Sequence, residues 1–250
     1  MKIFCYIVAL LSVLVISGCA SDDVLTVSDL TVEDLESKMA AKVDASGNYR
    51  KSKSFIFRQA IKTPQFLDDD LESMVETKMV LPDKFRMTTL QDNEPVQIIC
   101  SNGKKAWMAD TASKKLRNIE GERLHQLLTL SKLAIPAFGY RNIFKQVEIF
   151  RCSNDDGEFY LLKCVGNNQN TFNIYVDASE FLLRRMSGRM KVGGGHLEYD
   201  SRIKSYGLYN GVMIPKVTET RQNGLKQVVE VMSYELDPEI SPQEFLPPVF

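Results

Sequence analysis

Val75-Glu76-Thr77-Lys78-Met79-Val80-Leu81-Pro82-Asp83-Lys84-Phe85-Arg86-Met87-Thr88-Thr89 is the stretch whose reading decides the fold. Val75, Thr77 and Met79 alternate with Glu76 and Lys78, the period of two that marks a half-buried strand. Leu81-Pro82-Asp83 supplies a turn, and Phe85, Met87 and Thr89 resume the alternation. Two such runs joined by a tight turn predict an antiparallel hairpin.

The pattern extends both ways. Upstream, from Ser52, Phe55, Phe57 and Ile61 alternate with Ile56, Arg58 and Ala60, until Pro64 to Asp70 breaks the run. Downstream, Asp92-Asn93 turns into Val96, Ile98 and Cys100. Asn102-Gly103 is a strong tight-hairpin signal, with Lys105 to Ala109, around Trp107, as the return strand. A second block reads the same way. Its strands are Lys145 to Ser153, Glu158 to Val165, Thr171 to Val176, Phe181 to Met190, His196 to Tyr206, Val212 to Gln222 and Leu225 to Leu236. The turns between them include Asn154 to Gly157, Asn210-Gly211 and Asn223-Gly224, and Gly193-Gly194-Gly195 is a flexible break. About ten strands with short connections predict an antiparallel meander. Asp237 to Phe250 reads as a Pro-rich extended tail.

Two segments carry helical periodicity. Ser28 to Val43 places Leu35, Met39 and Val43 on one stripe, and Thr31 with Asp34 resembles a capping box, with Gly47 ending the helix. Ile119 to Phe138 separates the two strand blocks. There Leu124, Leu127, Leu128, Leu130 and Leu133 cluster at helical spacing, ended near Pro136 and Gly139.

Composition excludes some functions. Formal net charge is −1 and no basic patch stands out, which argues against a nucleic-acid partner. His125 and His196 lack metal-like neighbours at ligand spacing, so no metal or cofactor is expected. No Gly-x-Ser-x-Gly elbow or phosphate loop occurs, which argues against an enzyme. Cys100, Cys152 and Cys164 remain in the mature chain. Cys152 and Cys164 flank a turn centred on Asp155-Asp156, out of register with each other. Buried free thiols are the expectation, a 152–164 bridge the alternative.

The N-terminus is informative on its own. Lys2 is followed by an apolar run from Ile3 to Ile16, too short for a transmembrane helix of about 20 residues. Ile16-Ser17-Gly18-Cys19 resembles a lipobox, the lipidation site of bacterial lipoproteins. That resemblance implies a signal peptide over residues 1–18, lipidation of Cys19 and a tether over residues 19–27. Ala20 in place of Asp favours the outer membrane under enterobacterial-type sorting. Ser21-Asp22-Asp23 also resembles surface-export signals of other bacteria, so a periplasm-facing anchor is the expectation and surface exposure the alternative.

The order of helix, meander, helical insert, meander and tail resembles the LolA-like family of periplasmic lipoprotein-sorting proteins, which includes LolB. Leu81 to Met87 resembles the family's strand entry. Asn102-Gly103-Lys104-Lys105-Ala106-Trp107 resembles its Asp-Gly-Lys-x-x-Trp hairpin. Lys204-Ser205-Tyr206 through Pro215 and Glu239 to Pro248 resemble its closing segments. The resemblance covers most of residues 28–250. It implies a mainly β (α+β) fold, a strongly curved antiparallel sheet forming an incomplete barrel, closed by the N-terminal helix and the central helical insert. It implies an apolar cavity that binds lipid or lipoprotein acyl chains. The inward candidates are Phe55, Phe57, Val75, Met79, Phe85, Met87, Ile98, Phe172, Ile174 and Val176, with Leu124, Leu127, Leu128 and Leu133 as the lid. The plain alternative is that these residues are core.

A tethered chain is more similar to LolB than to the soluble LolA. LolB delivers through a loop with an exposed apolar residue, for which Phe66-Leu67 is the candidate, against the reading of a solvated acidic loop with Asp68-Asp69-Asp70. Arg58 is a candidate for the family's lid-locking arginine, or a solvated sheet residue. The rival function is an envelope sensor or structural protein that uses the same fold to bind a protein partner.

Overall fold

Turn chemistry and strand alternation set the architecture. In the computed structural model, residues 23–64, 71–133, 139–166, 170–192 and 195–249 are described. The elements run β1 (Val24–Val27), α1 (Val32–Val43), α2 (Asn48–Lys51), β2 (Ser54–Thr63), β3 (Leu71–Val80), β4 (Lys84–Gln91), β5 (Glu94–Asn102), β6 (Ala106–Asp110) and β7 (Lys115–Ile119). They continue with α3 (Gly121–Leu133), α4 (Tyr140–Ile143), β8 (Gln146–Asn154), β9 (Gly157–Val165), β10 (Thr171–Asp177), β11 (Leu183–Val192), β12 (Gly195–Tyr209), β13 (Val212–Gln222) and β14 (Leu225–Leu236). A 3-10 turn, Pro242–Phe245, lies in the tail.

These strands form one antiparallel sheet of 14 strands, ordered β1-β8-β9-β10-β11-β12-β13-β14-β2-β3-β4-β5-β6-β7. The C-terminal meander thus runs straight into the N-terminal one through the β14–β2 pairing. With β1 and β7 as free edges, the sheet is an incomplete barrel. The hairpins at Asp92-Asn93 (φ 52 and 65), Asn210-Gly211 (49 and 80) and Asn223-Gly224 (47 and 85) turn with positive φ at both positions, as type I′ turns require. Register shifts at Thr89/Leu90, Tyr175/Val176, Ile203/Ser205 and Val231/Ser233 interrupt the ladders. Such bulges bend strands and let a sheet curve.

The helices lie on the concave side. The Thr31 capping box forms: Thr31 Oγ1 accepts from the Asp34 amide at 3.1 Å, and the Thr31 amide donates to Asp34 Oδ2 at 3.3 Å. The helix therefore begins at Val32 rather than Ser28, whose hydroxyl instead bonds within the preceding turn. Val32, Leu35 and Met39 pack into one cluster with Leu162, Cys164, Phe172, Ile174 and Val176 of β9 and β10. Gly188 of β11 belongs to this floor. A Cβ there would meet the Thr171 carbonyl at 2.4 Å and the Tyr199 ring at 2.9 Å, so only glycine lets Tyr199 lie across the sheet. A second cluster joins Tyr49, Phe55, Phe57, Met79, Phe85, Ile214, Val231 and Tyr234, with Leu127 and Leu128 of α3 against it.

Several expectations change. The sheet has fourteen strands where the expected count is about ten, with β1 and β7 additional to the segments that alternation marks. Val24–Val27, expected within the tether, pairs with β8, and Asp23 accepts from Tyr175 Oη and Asn154 Nδ2, each at 2.8 Å. Both strands are short edges, and β7 is largely exposed and carries Lys115 and Arg117, a charged edge that discourages further pairing. The helical insert, expected over residues 119–138, is α3 and then α4. Its expected end near Pro136, and the Gly193-Gly194 break, lie outside the described residues. Cys152 pairs with Phe159 and Cys164 with Val147, and strand parity puts the two thiols on opposite faces. They are free and buried, so the bridge does not form.

The tail covers the convex face of β4 and β5. Glu244 bridges Lys78 at 3.1 Å and Arg86 at 3.8 Å, Arg86 Nη1 donates to the Glu244 carbonyl at 3.1 Å, and Phe245 is 2% exposed. Phe245→Ala is expected to lower stability by about 3 kcal/mol, within the range for a buried aromatic, read by urea denaturation. A loss under about 1 kcal/mol would show that the tail only rests on the sheet.

Candidate functional site: a cavity in the concave sheet

Where α1 fills the concavity over β8–β10, the remainder is not filled. A cavity of about 330 Å³ opens over β11–β14 and β2–β4, at the small end of the range for ligand pockets, about 300–1,000 Å³. Its walls are largely apolar: Phe57, Met79, Phe85 and Met87 from β2–β4, and Leu183, Met186, Ile203, Ile214, Val229, Val231 and Tyr234 from β11–β14. Leu133, at the end of α3, closes one side. Strand register explains the grouping. Phe57 faces Tyr234 on β14 and Thr77 on β3, and Thr77 in turn faces Met87 on β4. Each therefore points to the same side of the sheet. The Phe57 and Tyr234 rings stack at 5.4 Å.

Among the described residues the polar lining is uncharged. It comprises Gln59, Thr77, Ser201, Thr218, Thr220 and the Tyr234 hydroxyl. Ser201 and Thr220 hydroxyls pair at 2.9 Å. Burial pushes the Tyr234 phenol, and that of Tyr49 beneath it, above the usual range. Thr77 Oγ1 is buried without a partner.

The predicted site residues divide. Phe57, Met79, Phe85 and Met87 line the cavity, as does Leu133. Phe55 is wholly buried beneath them, its ring 5.2 Å from Tyr49, and Val75 shares the inward face but not the lining. Phe172, Ile174 and Val176 face inward yet are core under α1. Ile98 is on the convex face, because its partner is Thr88 while Ile99 faces Met87. Leu127 and Leu128 pack on the second cluster, and half-buried Leu124 belongs to neither the clusters nor the lining. Arg58 is also on the convex face, paired with Glu76 at 2.7 Å, so it is a solvated sheet residue and not a lock on the insert. Phe66-Leu67 and Cys19 lie outside the described residues.

Sequence reasoning missed the contribution of β11–β14. Ile214, Val229 and Val231 alternate in strands that were recognised, but nothing local marks them as neighbours of Phe57. Among the described residues no cluster of His, Cys, Asp or Glu suits a metal, and no helix is long and apolar enough to cross a membrane.

No family model matches the chain, and no curated protein matches it in sequence. Solved structures do match. A LolA superfamily protein from Nitrosomonas europaea superposes with a TM-score of 0.59 at 16% identity, over 87% of this chain and 98% of that one. The fold is LolA-like. A DUF1329 family protein from Desulfovibrio piger follows, with a TM-score of 0.57 at 11% identity, over 86% and 95% of the two chains. A proposed outer membrane lipoprotein-sorting protein domain from Vibrio parahaemolyticus gives 0.53 at 10% identity, over 84% and 94%. The LolA-like chain thus spans nearly the whole length of each.

The buried thiols give this fold a pH signature. Burial pushes the Cys164 thiol up to about 12 and, with Asp23 nearby, the Cys152 thiol up to about 11, against an ordinary value near 9. Above pH 9 the unfolded chain releases protons that the folded chain retains. Their contribution is therefore full below pH 9 and is lost as pH rises towards 11–12. The urea midpoint is expected to fall across that window, and Cys164→Ala should flatten the fall. A midpoint independent of pH would show that these thiols are not buried.

Proposed function

We propose that this chain is an outer-membrane-anchored lipoprotein that holds lipid or lipoprotein acyl chains in its concave cavity, serving lipid or lipoprotein sorting or transfer in the envelope of a Gram-negative-type bacterium. The observation that carries the reading is the cavity itself: an apolar space left open over one half of the sheet, beside the half on which α1 packs. Each methylene taken out of water into such a space contributes about 0.8 kcal/mol. Hydrocarbon is therefore held by area, and uncharged walls suffice. The LolA-like fold supports the reading, as does the LolA superfamily and lipoprotein-sorting naming of two structural neighbours.

The anchor is a separate part of the proposal. Ile16-Ser17-Gly18-Cys19 has the form of a lipidation site, and stable anchoring needs more than one acyl chain. The described fold begins only a few residues later, at Asp23. On this reading the cavity sits close to the membrane surface.

Native mass spectrometry of the secreted Cys19→Ser chain, followed by solvent extraction, tests the reading. Bound lipid or acyl peptide is expected. Thr218→Trp or Met186→Trp, each placing an indole in the cavity, should abolish it while circular dichroism stays unchanged. Cys19→Ser itself should release the protein from membranes without loss of ligand. A chain that is empty and ignores added lipids and lipopeptides would contradict the reading and favour a protein-binding envelope component.

A further inference from the structure

A smaller recess, of about 170 Å³, lies on the convex face over β10–β12. Tyr175 lines it, on the face opposite Ile174 and Val176, which pack under α1. Among the described residues its lining carries four cations, Arg184, Arg185, Arg202 and Lys204, and two carboxylates, Asp156 and Asp177. A β-bulge gathers two of the cations. Tyr175 pairs with Arg185 and Val176 with Leu183, so Arg184 is the extra residue. Consecutive strand residues ordinarily point to opposite faces, yet here both arginines reach one recess.

Some of these charges are fixed in place. Arg185 grips Asp200 through two bonds, at 2.7 and 3.2 Å, and lies over the Tyr175 ring. Asp177 holds Arg184 at 3.3 Å and accepts the Ser179 and Glu180 amides, each at 2.9 Å. Arg202 and Lys204 are more open, with side chains 42% and 48% exposed. Arg202 Nη1 donates to Asp156 Oδ2 at 3.0 Å, and Lys204 reaches Glu219 at 3.5 Å. A guanidinium has five N–H donors and an ammonium three, so both keep donors for a further acceptor. Asp156, also half-exposed, keeps Oδ1 for a further donor. A purely anionic ligand would be drawn by the cations and repelled by the carboxylates. A group carrying both phosphate and ammonium meets both signs: its phosphate accepts from Arg202 and Lys204, and its ammonium donates to Asp156.

The place of the recess supplies the source of that group. Asp23 accepts from Tyr175 Oη and Asn154 Nδ2, and both residues line the recess. Cys19 is four residues away from Asp23, a reach of at most about 14 Å. With Cys19 lipidated, the recess stands beside the headgroups of the membrane. We infer that it is a membrane-docking site that takes the phosphoethanolamine headgroup of a bilayer lipid and so fixes which face the anchored domain turns to its membrane. The inference rests on the anchored reading above and adds a contact separate from the acyl-chain cavity.

The test is vesicle flotation of the chain carrying Cys19→Ser and Thr218→Trp, which lacks the anchor and has its cavity filled. The vesicles are phosphatidylcholine alone, with added phosphatidylethanolamine, or with added phosphatidylglycerol. Phosphatidylethanolamine is expected to retain about fivefold more protein than either of the others, the scale of one charge-assisted hydrogen bond. Arg202→Gln combined with Lys204→Gln should remove that retention. Asp156→Asn should lower it to the phosphatidylcholine level, because a trimethylated ammonium has no N–H to donate. Circular dichroism should stay unchanged in each. Soluble glycerophosphoethanolamine should compete and inorganic phosphate should not. Equal retention on the three vesicles, no retention on any, competition by inorganic phosphate, or retention that survives Arg202→Gln with Lys204→Gln overturns the inference. One headgroup contact is too weak to hold the unanchored chain on washed membranes, so release of the Cys19→Ser chain reads the anchor separately, and either can fail without the other.

Discussion

The pairing of β14 with β2 is the constraint on which the rest of the structure depends. Leu236 lies opposite Phe55, Tyr234 opposite Phe57 and Val229 opposite Ile61, across a sequence separation of more than 160 residues. This ladder fuses two local meanders into one sheet. It also brings the inward side chains of β2–β4 beside those of β11–β14, and the cavity exists only because both sets face the same space. The bulge at Val231/Ser233 sits within this seam, where a curved sheet needs to bend.

The two helices then treat the two halves differently. α1 carries a compact stripe of Val32, Leu35 and Met39 and seats it on β9 and β10, where Leu162 and Ile174 are almost completely buried. α3 leaves from the β7 edge, rests Leu127 and Leu128 on the aromatic cluster, and brings Leu133 to the cavity wall. One half thereby carries α1 packed on its floor, and the other borders a walled space. On the far side of the sheet, the tail spends Glu244 and Phe245 on the convex face of β4 and β5, which leaves the concave side free of it.

Much of this was legible in the chain because local chemistry dictates it. Asn210-Gly211 and Asn223-Gly224 turn where only residues tolerant of positive φ can stand, and Thr31 with Asp34 caps the helix as their spacing implies. Alternation put Phe57, Met79, Phe85 and Met87 on one face, and they share the cavity. What alternation cannot choose is which of two apolar faces is covered by what. Ile98 and Ile99 are both apolar neighbours. The tail, more than 140 residues away, covers the face of Ile98 and Cys100, as the Cys100 thiol donating to the Leu246 carbonyl at 3.6 Å shows. Phe172, Ile174 and Val176 have the pattern of lining residues and are core only because α1 sits on them. Val24–Val27 and Lys115–Ile119 are too short to declare a period, and only partners distant in sequence make them strands.

The central claim is that acyl chains occupy the half of the concavity between β11 and β4 and not the half beneath α1. Photo-crosslinking with a palmitoyl ester carrying a diazirine on its chain, followed by peptide mapping, measures this directly. The account predicts adducts on Phe57, Met87, Ile214 and Val231 and none on Phe172, Ile174 or Val176. Adducts concentrated on the second set, or scattered over the convex face, would contradict it.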